Sequence, residues 1–107
     1  KNQNVHYSKL EEARSGGGSF KVNDKTPKGR TFTEHGAQRA NERGFTRKNI
    51  DDIIDNNYKK RKSKIDNQGR KTWEYSDNRG NKVVLNEQDG IVSVHSSAEG
   101  GEYIPKQ

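Results

Sequence analysis

The sequence predicts an α+β fold in which two N-terminal helices pack on one face of a four-stranded antiparallel meander sheet. Three observations predict it. A Thr-capped run ends at Gly44, and a second capped run carries an isoleucine stripe. Three turn signals, DNQG, DNRG and EQDG, then end at Gly69, Gly80 and Gly90. That rhythm suits strands of roughly five to seven residues joined by tight hairpins. Hydrophobic residues make up only 24% of the 107, against 34% charged. The predicted core is therefore thin, and its apolar residues cluster between Phe32 and Val94.

Residues 1–30 read as a leading segment and linker. Ser8 and Glu11 have capping-box spacing for a short helix over Lys9–Arg14, which SGGGS at 15–19 breaks. KVNDKTPKGR reads as loop, and the ordered part is expected to start near Arg30, with a core over 31–96. In the first helix Thr33 caps, Glu34 suits the dipole and Gly44 takes the left-handed terminal position. Its Gly36, Ala37 and Ala40 are small enough for close approach to a sheet. Thr46 caps the second helix, with Phe45 and Ile50 as a hydrophobic staple. Ile50, Ile53 and Ile54 form its apolar stripe, Asp51, Asp52 and Asp55 are expected to face water, and Asn56-Asn57 ends it. The expected strands are Lys59–Ile65, Lys71–Ser76, Lys82–Asn86 and Ile91–His95, and 97–107 reads as an irregular tail. With helices on one face, the other face of the sheet is left open.

Charge narrows the function classes. Residues 58–82 carry 9 basic and 3 acidic groups, which equals the whole net charge of +6. Such a stripe favours a polyanion as partner. With no cysteine, disulfides, thiolate metal sites and cysteine nucleophiles are excluded. No apolar run approaches the ~20 residues of a membrane span. A metal nuclease would need a third ligand and a His-x3-His pair, which the sequence lacks, and SGGGS has no following Lys-Ser/Thr for a phosphate loop. No metal or cofactor is expected.

Alternation in GIVSVHSS sets Val92 and Val94 against Ile91, Ser93 and His95. If the valines face the helices, Ser93 and His95 reach the open side, and Lys82 joins them there. In the second strand Trp73 and Tyr75 oppose Thr72, Glu74 and Ser76, and either set can face in; Trp73 and Tyr75 are core or base-stacking residues. On the first helix, spacing of four aligns His35, Arg39 and Arg43. Histidine suits proton transfer near neutral pH, and arginine forks onto phosphate. His35, His95, Arg39, Arg43 and Ser93 are thus the candidate catalytic set. Lys82, Lys60, Lys62, Lys64, Trp73 and Tyr75 are the candidate substrate-binding set.

The runs FTEHGAQRANERGFTRKNIDDII and VVLNEQDGIVSVHSS resemble the RelE-like branch of the barnase–EndoU–colicin–RelE superfamily, over about residues 31–96. That group includes toxin tips of contact-dependent inhibition systems. The resemblance implies a metal-independent toxin ribonuclease that often acts on tRNA. It also implies a C-terminal place in a larger secreted chain, delivery into a target cell's cytoplasm, and a cognate immunity protein. Such a partner, with an acidic surface, would complement the chain's charge. The first residue, Lys1, fits a piece of something longer. Two other readings stay open: a non-catalytic RNA-binding module, and a basic protein-interaction domain.

Overall fold

Thr33 sets the first helix against the sheet. The computed structural model describes residues 20–106. The chain runs through β1 (Thr31–Phe32), α1 (Glu34–Arg43), α2 (Arg47–Asn56), β2 (Lys62–Ile65), β3 (Lys71–Ser76), β4 (Asn81–Asn86) and β5 (Gly90–Ser96). The Thr33 hydroxyl caps α1 by accepting the Gly36 N–H at 3.0 Å, and it donates to the Ile91 carbonyl at 2.8 Å. Gly36 sits against the same carbonyl: a Cβ there would lie 1.8 Å from Ile91 O. Ala37 and Ala40 continue that buried stripe. The small residues thus bring α1 directly onto β5. The short helix expected over Lys9–Arg14 lies outside the described residues.

The sheet order is β1-β5-β4-β3-β2. β1 runs parallel to β5, with Thr31 opposite Gly90 and Phe32 opposite Ile91, and the other pairs are antiparallel. The expected four-stranded antiparallel meander is therefore corrected to a five-stranded mixed sheet in an α+β fold, with two helices ahead of β2–β5. Two residues are too few to show alternation. β1 is a strand only because β5 supplies its partners.

Other local expectations change for equally concrete reasons. Order starts before Arg30: Phe20 is buried and stacks on Phe32 at 4.8 Å between ring centres. Tyr58–Lys60 is a 3-10 turn, so β2 begins at Lys62 and not at Lys59. Asp51 does not face water. It is 3% exposed and accepts from Arg30 Nη1 and from the Lys28 N–H, both at 2.9 Å. In the turn before β5 the left-handed residue is Asp89 (φ 63°), and Gly90 already belongs to the strand. The tail is tied down: buried Asn81 exchanges hydrogen bonds with the backbone of Ile104, and the Tyr103 N–H donates to Arg43 O at 2.8 Å.

One core fills the space between helices and sheet. Ile50, Ile53 and Ile54 of α2 meet Tyr75, Val83, Leu85, Ile91 and Val94, with Phe32 and Phe45 closing the sides. Each large side chain buried this way contributes about 1.5–3 kcal/mol, so a few residues carry much of the stability.

Candidate functional site

A β-bulge decides what reaches the open face. Val84 pairs with Ser93 and Leu85 with Ile91, which leaves Val92 as the extra residue. Ile91 and Val94 are therefore both buried in the core, and Val92 is only half-buried. The expected pairing of Val92 with Val94 is corrected here, because simple alternation cannot anticipate an inserted residue. Ser93 and His95 still alternate with buried Val94, on the face away from the helices.

Lys82 lies directly across from His95 in the β4–β5 ladder. Directly opposed side chains have Cβ atoms about 4.5–5.5 Å apart, so the two form one unit. Glu74 on β3 completes it. Its carboxylate bridges Lys82 at 3.2 Å and Lys64 at 3.3 Å, and its side chain is 16% exposed. Lys60, Lys62, Lys64, Ser76 and Lys82 line a depression around Glu74. Sequence reasoning did not place Glu74 in the site. The signal was its alternation with Trp73 and Tyr75: once those rings turn inward, Glu74 must turn outward.

The electrostatics follow from this layout. Burial pushes the His95 pKa down, and the cations of Lys82 and Arg43 push the same way, with Glu74 opposing. Burial alone would raise the Glu74 carboxyl, but hydrogen bonds and charge from Lys82 and Lys64 outweigh it and hold the group below its ordinary value. At neutral pH His95 is therefore an uncharged imidazole, with the Glu74 carboxylate, the Lys82 ammonium and the Arg43 guanidinium as the charges that act on it. Both titratable groups start as proton acceptors.

The remaining predicted residues divide. Arg43 ends α1 with Nη1 donating to Val94 O at 2.9 Å, packed against Gly101. Its charge reaches His95 from a fixed position. Arg39 pairs with Glu42 at 3.0 Å. His35 is exposed in the first turn of α1, next to the Gly36–Ile91 contact. Eight residues separate it from Arg43, roughly 12 Å along the helix axis. The end of α1 that approaches His95 is thus the arginine end, and His35 stands apart from the Glu74–Lys82–His95 unit. Ser93 opposes Val84 on the open face. Lys62 and Lys64 are exposed on β2, with Lys60 in the preceding turn. Tyr75 is a core residue at 4% exposure and Trp73 packs against the core. Neither ring faces the His95 side. Set against protein-family models, curated proteins and solved structures, the chain gives no match in any of the three.

Proposed function

We propose that the open face binds RNA and that His95 cleaves it by metal-independent transesterification. The observation that carries this reading is the adjacency of Lys82 to His95 with Glu74 bridging Lys82 and Lys64. Neutral His95 takes the proton of a 2′-hydroxyl, and the oxygen attacks the adjacent phosphorus. Lys82, held by Glu74, meets the negative charge that grows on the phosphate. In an in-line displacement the 2′- and 5′-oxygens lie on opposite sides of phosphorus. The leaving 5′-oxygen therefore takes its proton from the Lys82 ammonium, and the His95 imidazolium gives its own up to solvent. The products are a 2′,3′-cyclic phosphate and a free 5′-hydroxyl.

The wider part of the proposal comes from the family resemblance: a toxin domain acting on tRNA inside a target cell, blocked by an acidic immunity protein. The test is incubation with tRNA and with an unstructured RNA in EDTA, with analysis of the product ends. Cyclic phosphate termini that disappear in His95→Ala support the reading. RNA left intact, or cut equally well by His95→Ala, removes it. Salt-sensitive binding without scission would instead favour a plain RNA-binding module.

A further inference from the structure

The helix side of the sheet carries a second cluster, beyond the cover of α1 and α2. Arg61 lies 4.0 Å from the ring centre of Tyr58 and 4.7 Å from that of Trp73. Its Nη1 donates to the Tyr58 carbonyl at 3.1 Å. Lys71 Nζ stands 4.7 Å from the Trp73 ring centre. Tyr58 is 51% exposed. Arg61, Lys71 and the neighbouring Lys59 form no ion pair with any carboxylate among the described residues.

An arginine held over two rings has lost its side-chain freedom before any ligand arrives. Its planar fork has one carbonyl to bind and no anion. We propose that Tyr58, Arg61 and Trp73 form a second nucleotide subsite. A base of single-stranded RNA stacks on Tyr58 and the guanidinium plane, while flanking phosphates meet Lys59 and Lys71. This inference rests on the reading of the chain as acting on RNA. An acidic polypeptide would match the lysines but offers no stacking partner of a base's kind for the Tyr58–Arg61 plane. From β2 to β5 the sheet spans three strand spacings, roughly 14 Å. The subsite therefore engages RNA that extends past the β2 edge, not a dinucleotide seated at His95.

Trp73 is the only tryptophan, so its emission reports on this cluster alone. The experiment titrates the protein with a short 2′-O-methyl oligoribonucleotide, which cannot be cleaved through a 2′-hydroxyl. Trp73 emission is expected to change, and Tyr58→Ala to weaken binding roughly five- to a hundred-fold. Tyr58→Phe keeps the affinity, and Arg61→Lys, which keeps charge but not the plane, loses it. Cleavage of a dinucleoside phosphate stays at the wild-type rate in Tyr58→Ala. If no RNA is cut but the emission change and the Tyr58 dependence persist, the subsite stands and the ribonuclease reading falls. The subsite is overturned if the oligonucleotide fails to bind, or binds with Trp73 silent and Tyr58→Ala unaffected. It is also overturned if polyglutamate reproduces both effects, which would assign the cluster to an acidic protein.

Discussion

Arg30 and Arg61 sit at opposite ends of the chain's ion-pairing scale. Arg30 reaches Asp51 and Asp55, both at 2.9 Å, and Lys28 joins Asp55 at 3.2 Å. The Asp51 side chain there is 5% exposed, so these charges fasten the 20–30 segment to α2. Arg61 has two rings and a carbonyl for company. A charge count treats the two residues alike. The difference teaches that a basic surface has to be read through its pairing: cations matched to buried carboxylates hold the fold, and those left over are available to a ligand. The Glu74–Lys82–His95 unit stands between these extremes, with its lysines positioned by a carboxylate yet partly open to solvent.

If that division is right, substitutions separate activity from stability. The largest expected effect is on cleavage. His95→Ala should lower kcat/KM roughly 10²–10⁴-fold, the usual contribution of a general acid–base group, with little change in Tm. His35→Ala should leave the rate near wild type, since His35 belongs to the exposed start of α1. Equal losses from both variants would break the distinction drawn between the two ends of that helix.

Asp51→Ala tests the paired end of the scale. Removing Asp51 leaves Arg30 with Asp55 alone and the Lys28 N–H without its acceptor, at a cost of about 1–3 kcal/mol. Urea unfolding should show that loss, while the protein that remains folded binds RNA with unchanged affinity. A loss confined to RNA affinity would place Arg30 among the ligand-binding cations. For the unpaired end, Lys59→Gln, Lys60→Gln and Lys62→Gln combined should leave Tm unmoved. The slope of log affinity against log salt should fall by about 2, from ~0.7 per phosphate contact on a single strand. An unaltered slope would mean that these lysines do not meet phosphate.

The sequence showed its helices more clearly than its sheet. Thr33, Gly44 and Thr46 act as the caps that their residue types suggest, because capping is local chemistry. Lys82 beside His95 was also legible, since period-two alternation within a strand needs no distant information. What stayed hidden depended on partners far along the chain. β1 exists through β5, Asp51 is buried because Arg30 folds back on it, and the bulge at Val92 reverses the expected facing of Ile91. Glu74 was hidden for a different reason: two aromatic residues flank it, and only packing shows that Tyr75 enters the core and Trp73 lies against it.

The smallest expected effect is on pH dependence, and its sign follows from the same layout. Burial first, then Lys82 and Arg43, lower the His95 pKa, so the unfolded chain takes up this proton more readily than the folded one. The associated stability is present above about pH 6.5, the ordinary histidine value, and is lost as pH falls through the lower folded value. Tm should therefore begin to fall below about pH 6.5, and His95→Gln should flatten that part of the curve. A second fall at more acidic pH should persist in the variant, because Glu74, Asp55 and Asp77 are held below their ordinary values and lose stability only as they protonate. Activity sharpens the assignment. As a base, His95 works when neutral, so kcat/KM declines on the acid side with the free-enzyme pKa of His95. Lys82→Gln removes a cation that disfavours imidazolium and frees Glu74 from one of its two lysines. Both changes raise the His95 pKa, so the acid limb should move to higher pH. A limb that stays in place would show that the group titrating there is not the histidine across from Lys82.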